Sequence, residues 1–450
     1  MKTSTGFLWL AGVFPILFLG IVKISHSFGD NSILKYLGFG FPDEPILTQN
    51  ICFTVAIGAR VCPTFRDYDK LFNKKCFNNP DAERNITELI QSWPGFSAEE
   101  HYLTTEDGYR VLVERAYSKI TQKNPIIVVH GIAMSALGWV NRGNVSLARL
   151  LGDLGYDVWM LNFRGTWYSK GHVNLTTGNK NYWKYTIDNL GLYDVRAVVN
   201  FVSQETNRQS IYLGYSMGSS GFYIYSSTFP EEAKENVKAM IGIAPVINFT
   251  GIKSIARYTS YVWPTLKRFI YTFWNGEILP GYSLFLRPLT RFSGGMYLIQ
   301  SVNNLMFGDD YDQMDPLNYP QFATQMLDSV AVEVWSHYLQ IYETGVFKRY
   351  DYGEENNLKK YGTKTPPVYD LSKIQTPMAV FASENDWLTT MENVNQIYSE
   401  IQPSVRCGFQ VVPYKKWNHI DFLIAKDIPK YFYKYLFKKI KDLGDGKCES

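Results

Sequence analysis

Ile211-Tyr212-Leu213-Gly214-Tyr215-Ser216-Met217-Gly218 is an apolar run that ends in Gly-x-Ser-x-Gly, and Ser219–Thr228 beyond it is patterned as a helix. Strand, tight turn and helix in that order are the setting in which a serine is lifted out of the chain as a nucleophile. The turn forces the serine into a strained backbone conformation, and side chains at the flanking glycines would collide with the neighbouring strand and helix. Outside this setting the five-residue motif carries little weight. Within it, Ser216 is the candidate nucleophile.

Outward from this turn, short runs rich in β-branched residues recur. Pro125-Ile126-Ile127-Val128-Val129 is continuous enough for a parallel strand buried on both faces. Tyr156–Leu161, Ser210–Gly214, Lys238–Ala244, Pro377–Ala382 and Phe409–Pro413 are further strand candidates, and Val111, Val113 and Arg115 alternate with their neighbours as in a half-buried strand. Val145–Leu154, Leu192–Val202 and Ser219–Thr228 read as helices between them. Such alternation predicts an α/β protein with a doubly wound, mostly parallel sheet. Between Ala244 and Pro377 the alternation stops, and Ile255–Phe273 and Thr324–Ile341 are aromatic and helical in pattern. This interval reads as a cap or lid inserted over the carboxyl ends of the strands, where ligands bind in open α/β sheets. The alternative is an independent helical domain.

A serine hydroxyl needs a base, and the base needs a carboxylate to orient it. On this topology they follow in the order serine, acid, histidine, from loops after later strands. Two of the six histidines follow Ser216. His419 comes just after the strand Phe409–Pro413 and before a final helix over Asp427–Phe437, whereas His337 sits in the aromatic insertion and is expected to be structural. Asp386 follows the strand Pro377–Ala382. Its rival Glu384 reads as a solvated loop charge, and Asp421 is too near His419 along the chain. The amides of Met217, next after the nucleophile, and Ile132, just past the strand ending in Val129, are the candidate donors to a developing oxyanion. His130 is expected to shape that loop. There is no Gly-rich phosphate loop, no His-Glu-x-x-His and no Cys-x-x-Cys, so neither a metal nor an organic cofactor is expected.

The chain's 450 residues allow one large domain with an insertion. An apolar fraction of 46% is too low for a multi-span membrane protein, and a formal net charge of +3 gives nucleic-acid binding little support. Lys2, the apolar run from Gly6 to Val22 and Ser25-His26-Ser27 read as a secretory signal cleaved before Phe28, the alternative being an uncleaved anchor. Sequons at Asn85, Asn144, Asn174 and Asn248 are candidate N-glycosylation sites and fit that route. Of five cysteines, Cys52, Cys62 and Cys76 cluster ahead of the catalytic region, where a local bridge is expected; Cys407 and Cys448 lie far off, and one thiol is left over. The expected division is a signal peptide at 1–27, an extension at 28–80, a core at 81–246 and 371–440 around the cap at 247–370, and a tail at 441–450.

With these residues assembled, the sequence resembles the acid lipase family, which includes gastric and lysosomal acid lipases. The resemblance runs from about Asn85 to about Phe437. It is carried by Trp93-Pro94-Gly95-Phe96, Glu100-His101-Tyr102, His130-Gly131-Ile132, Asn162-Phe163-Arg164-Gly165, Tyr350-Asp351-Tyr352-Gly353, Pro366-Pro367-Val368-Tyr369, Asn385-Asp386-Trp387-Leu388 and Asn418-His419-Ile420-Asp421-Phe422. It implies an α/β-hydrolase core with a helical lid and places the triad at Ser216, Asp386 and His419, with oxyanion donors at Ile132 and Met217. It further implies action on triacylglycerols or sterol esters at an oil–water or membrane interface, and an extracellular or lysosomal location. A general carboxylesterase and a catalytically idle lipid binder are the competing readings, and the oligomeric state is left open. The sequence departs from the best-known members in two ways. Tyr215 and Met217 stand where those have His and Gln, a change expected at the acyl pocket, and the insertion lacks cysteines.

Overall fold

A computed structural model of the chain describes residues 60–70, 73–280, 286 and 289–448. The expected signal peptide, its cleavage point at Phe28, the extension up to residue 59 and Cys52 lie outside the described residues.

Among the described residues, eight strands form the sheet: β1 (Phe96–Thr104), β2 (Tyr109–Ser118), β3 (Pro125–Val129), β4 (Asp157–Asn162), β5 (Ser210–Tyr215), β6 (Val237–Ile243), β7 (Met378–Ala382) and β8 (Arg406–Val411). A ninth, Gly171–His172, pairs with the start of β2. Their order is β8-β7-β6-β5-β3-β4-β2-β1, antiparallel among β1, β2 and β4 and parallel from β4 to β8. Every residue of β3, β4 and β5 is buried, which explains why these strands read as unbroken apolar runs.

Period-2 geometry still sorts their side chains. Ile126, Val128, Ile211 and Leu213 join the core on one face, and Ile127, Val129 and Tyr212 that on the other. Helices α1 (Ile86–Gln91), α2 (Leu147–Asp153), α3 (Arg196–Thr206) and α4 (Met217–Thr228) belong to the first half of the core. α5 (Thr259–Trp274), α6 (Ser293–Phe307) and α7 (Val332–Thr344) lie in the insertion, and α8 (Met391–Glu400) and α9 (Lys434–Gly444) complete the second half. Leu147, Ala148, Leu151, Leu436 and Ile440 of α2 and α9 cover the first face, while Val198, Val199, Phe222 and Ile224 of α3 and α4 cover the second. Each such Val, Leu, Ile or Phe side chain contributes roughly 1.5–3 kcal/mol of burial.

Several expectations need correction. β2 does not alternate: Leu112 and Glu114 are buried along with Val111 and Val113, because α1 and α2 pack on one face of the strand while Val111 and Val113 join the core on the other. Burial pushes the Glu114 carboxyl up to about 8, with the Thr87 hydroxyl at 3.0 Å and Glu100 directly across on β1. β8 begins at Arg406 rather than Phe409: Arg406 pairs with Met378 of β7, and a bulge at Cys407 and Gly408, with Gly408 at φ 134°, separates it from the pairing of Phe409 with Val380. The helix expected over Thr324–Ile341 is split. A π-helical turn at Phe322–Met326 and the short strand Val330–Ala331 precede α7. That strand pairs with Glu277–Ile278, so the insertion holds a two-stranded ribbon that its helical pattern concealed.

α5 packs on α7 through Trp263, Ile270, Val332 and Leu339. The Trp263 indole donates to Ser336, and Lys267 and Tyr271 both bind Glu333. The insertion is bound to the core rather than standing apart. Tyr338 of α7 meets Ser220 of α4 at 2.9 Å, and the described residues fall in one compact unit.

Disulfides join Cys62 to Cys76, the local bridge expected, and Cys407 to Cys448, which ties the chain's end to edge strand β8. Asn85, Asn144 and Asn174 are exposed, Asn85 while capping α1. Asn248 is buried, with its amide donating to Gln396 at 2.8 Å, so the folded chain offers no room for a glycan there.

Candidate active site

Ser216 sits at the junction of β5 and α4 with φ 51° and ψ −115°, a conformation a non-glycine residue holds only where its surroundings impose it. Its N–H donates to the Ile243 carbonyl of β6 at 2.9 Å. The two glycines of the turn are there for space. A Cβ on Gly214 would lie 2.8 Å from the Ser219 nitrogen, and one on Gly218 2.5 Å from the Val129 carbonyl of β3.

Loops after β7 and β8 bring the other two residues to it. His419 Nε2 lies 3.1 Å from Ser216 Oγ, and His419 Nδ1 lies 2.7 Å from Asp386 Oδ2. Asp386 accepts from the Leu388 and Thr389 amides at 2.9 and 2.7 Å and from the Thr389 hydroxyl at 2.7 Å. With the carboxylate thus fixed, Nδ1–H donates to it, and Nε2 is left to accept from the serine. All three side chains are nearly sealed from solvent, Ser216 being 3% exposed.

Met217 is the first residue of α4, where a helical amide has no intrahelical acceptor. The loop carrying Ile132 backs onto the serine, since a Cβ on Gly131 would meet the Tyr215 ring at 3.0 Å and Ser216 Cβ at 3.3 Å. His130 beneath it is buried and neutral, pushed down to about 4 by desolvation. Its Nδ1 lies 2.8 Å from the Gly131 carbonyl, and its Nε2 accepts the Phe163 N–H at 3.1 Å. On the far side, the Ala133 carbonyl accepts from the Asp328 N–H of the insertion at 2.8 Å.

The rejected residues stand elsewhere. Glu384 is exposed, and His337 is buried against the Lys348 carbonyl at 2.8 Å. Asp421 faces the Asn418 N–H at 2.7 Å, not the imidazole. Tyr215 is buried under the histidine loop, with its ring 5.2 Å from the His419 ring and its hydroxyl donating to the His419 carbonyl at 2.9 Å. Phe307, which sequence patterning does not single out, stacks on the same imidazole at 5.7 Å. Its only signal is its place at the end of an apolar helical run.

A strained serine on the parallel part of the sheet, with aspartate and histidine delivered from the loops after the last two strands, β7 and β8, defines a hydrolase of the α/β class. Residues 124–425 match the family model described as alpha/beta hydrolase fold, and residues 86–143 that described as partial alpha/beta-hydrolase lipase region. Lipase member M of Homo sapiens is 30% identical over 389 residues, covering 83% of this chain and 90% of its own. Gastric triacylglycerol lipase of Rattus norvegicus is 29% identical, covering 85% and 98%, and Lipase 1 of Drosophila melanogaster is 29% identical, covering 82% of each. The chain belongs to the acid lipase family.

Proposed function

We propose that the protein is a lipase of the secretory pathway that hydrolyses carboxylic ester bonds of neutral lipids, triacylglycerols or sterol esters, through an acyl-enzyme. The observation that carries this reading is the continuous relay from Ser216 Oγ through His419 to Asp386 at a strained turn. Ser216 Oγ attacks the ester carbonyl carbon while its proton passes to His419 Nε2, and Asp386 steadies the imidazolium. The Ile132 and Met217 amides hold the oxygen that gains charge, each worth a few kcal/mol in such sites. His419 then returns the proton to the departing alcohol. Water, activated by the same imidazole, releases the fatty acid.

The lipid preference is supported by the insertion, taken as a cap over 247–370. Its aromatic residues divide into two sets. Trp263 builds the cap's own core, whereas Tyr258, Tyr261 and Phe273 are exposed, with Tyr261 at 81%. A lid that covers a closed serine and presents exposed rings suits a site that opens on an oil surface. The relatives named as lipases, and the gastric one named for triacylglycerol, agree with it.

The test is the rate on an ester series taken through the solubility limit, with Ser216→Ala as control. A rise in rate beyond the limit is expected, as is a loss of about 10³-fold or more in the alanine variant. A rate that is flat across the limit would leave a carboxylesterase for soluble esters, and full activity in the variant would remove the hydrolase reading.

A further inference from the structure

The insertion does more than cover the site. Where α6 ends, residues 307–310 run between the loop that carries Asp386 and the loop that carries His419. The Phe307 carbonyl accepts from the Trp387 N–H at 3.0 Å and the His419 N–H at 3.4 Å. The Gly308 carbonyl accepts from the Asn418 amide at 2.8 Å, and the Asp309 carbonyl from the Asn385 amide at 3.1 Å. Gly308 has φ 121°, and a Cβ there would lie 2.0 Å from the Asn385 carbonyl, so the segment lies against both loops with no room to spare. Next comes Asp310, buried like Asp421. Asp310 Oδ2 and Asp421 Oδ1 are both buried with no donor to either among the described residues, and the two carboxyls interact with each other. Their other oxygens are committed to backbone, Asp310 Oδ1 to the Asp312 N–H at 3.0 Å and Asp421 Oδ2 to the Asn418 N–H at 2.7 Å.

Two carboxyl groups in contact in a buried setting cannot both be ionised, so one proton must sit between them. Burial and the neighbouring Asp310 hold the Asp421 carboxyl well above the usual range, so Asp421 carries that proton and Asp310 accepts it. The charged and titratable groups around the pair are Asp309 and Asp312 on its own segment, Tyr414 and Lys416 on the histidine loop, Asp386 on the acid loop and Tyr215 on the turn. Lys416, the cation among them, is engaged by Asp312 at 3.1 Å. The proton is therefore what keeps Asp310 and Asp421 together.

We propose that Asp310 is a positioning residue for His419: by sharing a proton with Asp421 it fastens the insertion to the Asn418–Asp421 turn and so sets the imidazole against Ser216 and Asp386. This deepens the hydrolase reading and rests on it. When the shared proton is lost at high pH, two like charges face each other and the turn is pushed off its register. Catalysis then fails before binding does.

The experiment measures kcat and KM for a soluble short-chain ester across pH, per serine titrated with a phosphonate so that only folded sites are counted. Wild type, Asp310→Asn and Asp310→Ala are compared. Asparagine keeps the shape and can donate to an ionised Asp421, so its alkaline fall in kcat should lie about one pH unit or more above that of wild type. Alanine removes the fastening, and kcat should drop about tenfold on the plateau with KM within about twofold. Coincident kcat profiles for wild type and the asparagine variant, or a wild-type plateau in the alanine variant, overturn the inference. If the serine labels and turns over ester while the three profiles coincide, the hydrolase reading survives and the positioning role alone is lost. If Ser216 does not label, both fall.

Discussion

Tyr215 precedes the serine in the chain and touches the histidine in space. Its hydroxyl on the His419 carbonyl is one hydrogen bond in a sealed region, and removing the donor leaves a buried acceptor unsatisfied, at a cost of about 1–3 kcal/mol. Tyr215→Phe should therefore lower the urea midpoint measurably and reduce kcat several-fold while leaving KM nearly unchanged, as steady-state kinetics on a soluble ester would reveal. Glu114 makes a second prediction at this scale. Its carboxyl titrates at about 8 in the folded chain against an ordinary value of 4.5, so between these values the folded chain binds a proton that the unfolded chain has released. Stability from this residue is thus complete below pH 4.5 and is lost as pH rises through about 8. Glu114→Gln holds no such proton. Its stability relative to wild type should rise by a few kcal/mol from about pH 5 to about pH 8, at roughly 1.4 kcal/mol for each pH unit between the two titrations, and urea unfolding at both pH values would show it. No rise would mean that Glu114 ionises freely. The residues that carry chemistry are legible in the sequence because each follows a strand in a fixed order: Ser216, Asp386 and His419 meet within hydrogen-bonding distance. Phe307 and Asp310 are not, because nothing local marks an apolar helix end or a loop carboxylate as belonging to a site about 100 positions along the chain.

Among the elements, strands that are continuous apolar runs, β3 and β5 above all, can be located within a residue of their ends because burial on both faces writes itself into composition. β1 escapes, since no residue of Phe96–Thr104 is fully buried and Glu99 and Glu100 side by side dilute its alternation with charge. The start of β8 is hidden because a bulge at Cys407 and Gly408 parts Arg406 from the rest of the strand. In the insertion, apolar periodicity locates α5 but cannot show that Val330–Ala331 pairs with Glu277–Ile278, a contact between distant segments. α5 itself makes a prediction. Tyr261 and Val262 project from the face opposite Trp263 and support no core, so Tyr261→Ser with Val262→Ser should leave the melting temperature within a few degrees. The pair should cut the rate on emulsified triglyceride several-fold while sparing a soluble ester. Equal loss on both substrates would show that this face serves folding and not an interface.

For the whole molecule, the decisive fact is closure. A serine that is 3% exposed cannot meet a bulky ester without movement of what covers it. Phosphonate labelling of Ser216 in plain buffer should therefore be slow and should accelerate at least about tenfold when detergent micelles or an oil emulsion are added. Equal rates in the two media would mean that access needs no interface. The sheet also dictates how the insertion is attached. The insertion leaves from β6 and returns at β7, which are hydrogen-bonded neighbours, so about 130 residues enter and exit the sheet through one gap.

That single gap invites grafting. A chimera could take the whole interval from a relative without disturbing strand order, and a change of substrate range would be the natural goal. The join at residues 307–310 sets the condition, because a donor segment must also carry partners for the recipient's Asn385, Asn418 and Asp421. A transplant matched only at its two ends would inherit a new roof and a slack latch.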